Sequence, residues 1–292
     1  LRDQAVESAK RLVASLYDRG QMDVLADFAY PFTVEMISRK LGVPIEDGPK
    51  LIDWTAAKLA RSVDAHTVRR AKDAVVEMSA YFQSYAHPRD DRPSDGLIRA
   101  LALVEADGDQ LSEVELTAVC WELVSAGFET TANMIANALV TLLQHPDQLE
   151  LLRADPGLMR GAVEECLRFE PPLAIGRPFR AVTDLELAGR KIAAGDRVRV
   201  WLAAANRDPE IFPDPNRFDI SRSNTRQLAF SYGSHVCLGN SLARMELAVA
   251  LEALLKLPDL VLADPAPRWL KHALRIQDSL PVKWDGSRGS RQ

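Results

Sequence analysis

Apolar residues recur at helical spacing through most of the chain. Residues 1 to 19 place Ala5, Ala9, Leu12, Val13 and Leu16 on one face ahead of Gly20, which predicts an amphipathic helix that stops there. The spacing resumes from Asp23 to Leu41, with Pro31 predicting a kink or break and Gly42 the stop. It returns over about 46 to 62 and 67 to 86, before Pro88. The first third therefore reads as nearly all helix, and the chain as already inside a fold at Leu1.

Ser112-Glu-Val-Glu115 has the order of a capping box, in which a serine hydroxyl and a glutamate three residues later satisfy each other's backbone donors. The sequence then stays helix-compatible to His145-Pro146, about 32 residues or ~48 Å at 1.5 Å per residue. Leu116, Val119, Trp121, Leu123, Val124, Ile135, Leu139 and Leu142 cover most of its circumference, so a long, central, buried helix is expected. Shorter helices are expected near 147 to 154 and 157 to 169.

After Pro171-Pro172 the texture changes. Leu185 to Leu187, a turn at Gly189, and the alternating run Arg197-Val-Arg-Val-Trp-Leu202 predict a small sheet. Residues 206 to 229, with Pro209, Pro213 and Pro215, predict an irregular meander, and 258 to 284 read as further short strands. The fold class is mainly α. Length alone suggests about two domains, but no linker or fixed-period repeat interrupts the pattern, so residues 1–292 are expected to form one domain.

Composition removes several function classes. With 47% hydrophobic and 26% charged residues the chain is an ordinary globular one, and its net charge of -5 provides no basic footprint for nucleic acid. No apolar run approaches the ~18 residues of a membrane span and no signal-peptide pattern opens the chain, so no membrane association and a cytoplasmic location are expected. Cys120, Cys166 and Cys237 show neither CxxC spacing nor an even-numbered framework, which argues against a disulfide scaffold and a cysteine-rich zinc site. His66, His87, His145 and His272 lack metal-ligand spacing and read as surface or capping residues.

One cysteine is placed differently. Phe230-Ser-Tyr-Gly233-Ser-His235-Val-Cys237-Leu-Gly239 sets Cys237 in a glycine-punctuated loop directly before a predicted helix over 240 to 255. Gly233 and Gly239 permit positive φ and close approach to something flat and large. Unpaired N–H groups and the positive end of the helix dipole stabilise a negative sulfur there and favour metal ligation. Taken alone, a free cysteine reads by default as a small buried hydrophobe.

The ten-residue pattern resembles the heme-binding loop of the cytochrome P450 family, Phe-x-x-Gly-x-His/Arg-x-Cys-x-Gly, and matches it at every specified position. The resemblance implies a heme b cofactor with Cys237 as the proximal thiolate ligand of iron, Phe230 beside the sulfur, His235 near a propionate, and Gly233 and Gly239 making room for the macrocycle. A thiolate ligand favours O–O cleavage.

Two further segments gain meaning beside that loop. Ala126-Gly127-Phe128-Glu129-Thr130-Thr131 is locally unfavourable for a helix: Gly127 costs about 1 kcal/mol against Ala, and threonine hydroxyls can bond preceding carbonyls and bend the axis. By itself it reads as a packing glycine beside a partly exposed acid. It resembles the family's Ala/Gly-Gly-x-Asp/Glu-Thr-Thr segment, which implies that Ala126 and Gly127 border the distal heme face and that Glu129 and Thr130 are the catalytic pair that delivers protons to dioxygen. In Glu164-Glu165-Cys166-Leu167-Arg168, helix geometry allows Arg168 to pair with Glu164 at i,i+4 or Glu165 at i,i+3, a contact worth about 0.2 to 0.5 kcal/mol on a surface. The resemblance to the family's Glu-x-x-Arg helix selects Glu165 and Arg168 and implies that Arg217 of the meander joins them in a structural triad. It also implies a strand arginine near a heme propionate, Arg180 first and Arg177 as the alternative.

The resemblance runs from Leu1 to about Trp284. It implies a cytochrome P450 fold with a long central helix, small β-sheets and an irregular meander before the heme loop, and a bacterial-type soluble monooxygenase. Such an enzyme inserts one oxygen atom from dioxygen into a small apolar substrate, here against Trp121 to Gly127, Leu173 to Gly176 and Ser279-Leu280. The chain has no GxGxxG fingerprint, so electrons are expected from a ferredoxin or flavodoxin-type donor with its own reductase, and a monomer is expected. The family carries a long N-terminal portion ahead of the point where Leu1 stands, so the chain reads as N-terminally truncated, with an upstream extension expected. The alternative reading is a truncated P450-like scaffold or partner protein without turnover.

Overall fold

The structure is a computed structural model that describes residues 1–59, 64–86, 96–106, 109–223, 226–265, 269 and 274–286. In chain order it contains α1 (Arg2–Leu16), β1 (Gln21–Asp23), α2 (Tyr30–Leu41), α3 (Gly48–Leu59), α4 (Ala65–Ala86), α5 (Leu97–Leu103), β2 (Glu105–Ala106), β3 (Asp109–Gln110), α6 (Glu113–Gly127) and α7 (Glu129–Gln144). There follow α8 (Pro146–Ala154), α9 (Met159–Phe169), β4 (Phe179–Arg180), β5 (Leu185–Leu187), β6 (Arg190–Ile192), β7 (Arg197–Val198), α10 (Leu202–Ala205), α11 (Asn240–Leu254), β8 (Val261–Leu262) and β9 (Pro281–Lys283). His87, His272 and the predicted helix end at 60 to 62 lie outside the described residues. Among the described residues no helix is long and apolar enough to cross a membrane.

The chain forms two compact units. The first holds Leu1, Asp3–Ala14 and Ala26–Ala132. Its core gathers one stripe from each of several helices: Val34, Ile37 and Leu41 of α2, Leu51 and Trp54 of α3, Ala74, Met78 and Phe82 of α4, and Leu116, Cys120 and Val124 of α6. Pro31 sits in the first turn of α2, and the break expected there is a change of helix type: Val24–Ala29 wind as a π-helix and α2 takes over at Tyr30. One carboxylate is buried beside this core. Glu35 accepts hydrogen bonds from Ser8 Oγ (2.7 Å) and from Arg39 Nε (3.0 Å) and Nη2 (2.9 Å), and pairs with Arg11. Burial pushes its carboxyl up, but these donors and charges outweigh it and hold Glu35 below its ordinary range.

Ser112 and Glu115 close the predicted capping box, Ser112 N donating to Glu115 Oε2 at 2.9 Å and Glu115 N to Ser112 Oγ at 3.3 Å. The long helix expected after it is divided at one residue: α6 and α7 meet at Phe128, which belongs to neither but keeps a right-handed backbone (φ −102°, ψ −46°). The threonine back-bonds expected here are present: Thr130 Oγ1 donates to Ala126 O at 2.8 Å and Thr131 Oγ1 to Gly127 O at 3.3 Å, contacts that bend a helix axis. Burial differs as well: α7 is buried at every residue from Thr131 to Leu142, whereas α6 buries one stripe and leaves Val114 exposed.

The second unit holds Arg2, Ser15–Leu25 and the described residues from Asn133 onward. Its three-stranded antiparallel sheet has the order β1-β9-β8, with Gln21 and Val261 both opposite Lys283. Asp23, read as the start of a helix, thus ends a strand, Gln21–Asp23, that pairs with Pro281–Lys283. The strand and turn expected at 185 to 189 are present, and β5 pairs with β6, a strand the pattern did not mark, through Ala188 (φ 50°) and Gly189 (φ 75°). The run predicted as a strand over 197 to 202 is shorter. β7 ends at Val198 and Leu202 starts the alanine-rich α10, because the chain leaves its pairing with β4 after two residues. The described residues of the meander over 206 to 229 are irregular, as expected.

Candidate functional site

The second unit builds its site from α9 outward. Glu165 and Arg168 are 2% and 1% exposed, and their side chains form a bidentate pair, Nε to Oε2 and Nη2 to Oε1, both at 2.7 Å. The remaining donors of Arg168 hold the meander by its carbonyls: Asn206 O at 2.9 Å, Pro215 O at 2.8 Å and Arg217 O at 3.1 Å. A buried guanidinium with all its directions filled is a strong organiser, because each bond replaces a lost hydration contact.

Arg217 contributes its backbone to this cluster and not its side chain. Its guanidinium is 66% exposed and lies 3.8 Å from Asp219. The third charged member is Arg222, whose Nε is 3.3 Å from Glu165 Oε2 and whose other nitrogens reach Pro213 O, Asp214 O and Arg217 O. The expected Glu165, Arg168, Arg217 triad is corrected on this point.

Glu164, the pairing alternative for Arg168, serves a different partner. Its Oε1 is 2.5 Å from Arg244 Nε, and its Oε2 accepts from Gln227 Nε2 at 3.0 Å. Arg244 then donates through Nη1 to Asn240 Oδ1 at 2.8 Å, and Asn240 Nδ2 donates to the carbonyl of Cys237 at 2.6 Å. The guanidinium also lies 4.5 Å from the centre of the Phe230 ring. A continuous chain of charge-assisted contacts thus runs from α9 to the backbone of Cys237. No local spacing joins residues 164 and 244; the only signal was that Asn240 and Arg244 stand one helical turn apart.

The loop itself is held by backbone bonds. Cys237 N donates to Phe230 O at 2.9 Å and Val236 N to Gly233 O at 3.0 Å, closing a short 3-10 turn at Gly233–His235. Gly233 has φ +81° with no atom within 4 Å of where a Cβ would stand, a conformation that disfavours other residues. A Cβ on Gly239 would lie 4.0 Å from the Cys237 sulfur. Gly239 caps α11, and no side chain closes that helix end.

Cys237 is exposed, and so are His235 and the apolar Tyr232 (86%), Val236 (50%) and Leu238 (88%) around it. Cys120 and Cys166 are buried; burial pushes the Cys120 thiol up to about 11 and raises that of Cys166 as well. A sulfur bracketed by exposed apolar side chains, at an uncapped helix N-terminus, is a donor set that fits a flat apolar macrocycle with an axial thiolate. Arg180 is exposed on β4 and donates to Gly195 O at 3.1 Å.

In the first unit, Ala126, Gly127, Glu129 and Thr130 are brought together at the break between α6 and α7. Gly127 is a packing glycine, since a Cβ there would meet Ile37 Cδ1 at 3.0 Å. Glu129 opens α7 half-buried, and Thr130 is also partly accessible while its hydroxyl bonds Ala126 O. His145 caps the end of α7 as expected, its Nδ1 2.8 Å from Thr141 O.

Comparison with known proteins places this arrangement among relatives. A family model described as "Cytochrome P450" matches residues 49–264. The chain is 39% identical over 286 residues to the biotin biosynthesis cytochrome P450 of Bacillus subtilis (strain 168), covering 96% of this chain and 72% of that protein. It is 41% identical over 271 residues to the cytochrome P450 monooxygenase PikC of Streptomyces venezuelae, covering 91% and 64%. The crystal structure of myxobacterial cytochrome P450 CYP267B1 in complex with myristic acid superposes with a TM-score of 0.90 at 41% identity, over 97% of this chain and 72% of that one. The chain thus spans 64 to 72% of the length of these relatives.

Proposed function

Since the chain belongs to the cytochrome P450 family, we propose that it is a heme-thiolate monooxygenase that inserts one oxygen atom from dioxygen into a small apolar substrate. The observation that carries this reading is Cys237, exposed in a glycine-relieved loop at the N-terminus of α11 and tied by its backbone to α9. Heme b, held there by Cys237, supplies reductive activation of dioxygen and transfer of one oxygen atom. Phe230, Gly233 and Gly239 would lie against the macrocycle, and His235 and Arg180 would pair with its propionates.

The chain's own chemistry is proton handling and exclusion of water. Thr130 carries a proton on Oγ1, which it now donates to Ala126 O, and the break at Phe128 leaves that hydroxyl accessible enough to turn toward a bound water. Glu129, at the start of α7, returns protons to it from the solvent side. Trp121 to Gly127 of α6 provide an apolar wall for the substrate. The myristic acid in one similar structure supports an apolar substrate for this chain.

Electrons come from a separate ferredoxin or flavodoxin-type donor, as the chain has no dinucleotide fingerprint of its own. We place the protein in the cytoplasm as a monomer.

The test is spectroscopic. The reduced protein under carbon monoxide is expected to show a strongly red-shifted Soret band that disappears in Cys237→Ser. Absence of any heme absorbance in the parent chain would overturn the reading and favour a scaffold without turnover.

A further inference from the structure

We propose that Glu164, Arg244 and Asn240 form a positioning relay that fixes the Cys237 backbone and sets the electron density on its sulfur. The inference rests on the reading of Cys237 as a heme ligand, and goes beyond it by assigning three residues that act through the Cys237 backbone and the Phe230 ring. Each link is a short, directed contact: Glu164 Oε1 to Arg244 Nε at 2.5 Å, Arg244 Nη1 to Asn240 Oδ1 at 2.8 Å, Asn240 Nδ2 to Cys237 O at 2.6 Å. The order of donors leaves one orientation for the Asn240 amide, because its oxygen must accept from a cation and its nitrogen must donate to a carbonyl.

Charge makes the relay more than a brace. Arg244 brings a positive guanidinium to the first turn of α11, where it bonds Asn240 O and Oδ1 at the helix end that follows the cysteine loop. Glu164 offsets that charge from α9. The two side chains are 34% and 12% exposed, so their fields are only partly screened. Removing Glu164's charge leaves more positive potential near the sulfur and draws electron density toward the protein. Removing Arg244 does the reverse and also releases Asn240 from the Cys237 carbonyl.

A purely structural brace and a relay predict different outcomes. Glu164→Gln keeps the shape and an acceptor for Arg244, whereas Arg244→Leu removes the cation. The relay predicts opposite shifts: the heme reduction potential rises in Glu164→Gln and falls in Arg244→Leu. In the heme-free 292-residue chain at neutral pH, the rate of Cys237 alkylation by a small neutral thiol reagent rises roughly two- to three-fold in the first variant and falls by a similar factor in the second. Asn240→Leu is expected to follow Arg244→Leu, with part of the reduced, carbon monoxide-bound protein losing the thiolate-type Soret band. Equal loss of thermal stability in both charge variants, with potential and alkylation rate unchanged, would overturn the relay and leave a brace. A parent chain that takes up no heme sinks the ligand reading instead, and the alkylation pair then decides the relay alone.

Discussion

Arg222 Nε lies 3.3 Å from Glu165 Oε2, and Arg217 turns its guanidinium outward to Asp219. Two arginines five residues apart in the same meander therefore have different tasks. Arg222, 11% exposed, ties the acid to three carbonyls. Arg222→Ala is expected to destabilise the protein by about 2 to 4 kcal/mol, since it leaves a buried carboxylate short of a cation and several carbonyls short of donors. Arg217→Ala should change stability by no more than about 0.5 kcal/mol. Denaturant midpoints of the two variants, measured side by side, check the assignment.

The pair at the centre of that cluster is less tolerant. Glu165→Gln removes the negative partner of a guanidinium that is 1% exposed, at an expected cost of about 3 to 5 kcal/mol. Arg168→Lys keeps the charge but not the fork that serves Glu165 and three meander carbonyls together, so it should also be strongly destabilising. A wild-type unfolding midpoint in Arg168→Lys would contradict this.

Glu246 gives the fold a pH dependence. It is 2% exposed on α11, and burial pushes its carboxyl up to about 8 from an ordinary 4.5. Between those values the folded state holds a proton that the unfolded chain has released, so this group's contribution to stability is fully present below 4.5 and is lost as pH rises through about 8. Glu246→Gln keeps the neutral shape at every pH. It is expected to raise the melting temperature at mildly alkaline pH and to leave it unchanged near pH 4; parallel melting curves for parent and variant across that range would contradict the protonated acid.

At the α6–α7 break, Thr130→Ala removes the hydroxyl that bonds Ala126 O. The expected result with substrate and electron donor is a fall in product formed per electron consumed and a matching rise in hydrogen peroxide. Thr131→Ala, whose hydroxyl belongs to a buried residue and bonds Gly127 O, should affect stability more than coupling. The ratio of peroxide to product separates the two threonines.

Helices were readable from the sequence wherever one face met a core, as in α1, α4, α9 and α11, because a 3.6-residue period is a local signal. The cysteine loop was readable for a different reason: its glycines and its place before a helix restrict what the segment can do. What stayed hidden depends on distant chain. Residues 21 to 23 are a strand only because Pro281–Lys283 arrive to pair with them. The bend at Phe128 was legible from Gly127 and the two threonines, though not from hydrophobic periodicity. Neither the choice of Arg222 over Arg217 nor the Glu164–Arg244 contact has a spacing rule, since both depend on the path of an irregular loop.

The unequal burial of the three cysteines has a practical side. Cys120 and Cys166 are sealed in apolar surroundings that oppose ionisation, and Cys237 alone is open to solvent. A thiol reagent applied to the folded protein therefore counts a single sulfur, the one in the loop, and a ligand seated on that sulfur protects it. The chain carries its own stoichiometric tag for occupancy of the site, read by mass, with no label to introduce and no background cysteine to remove.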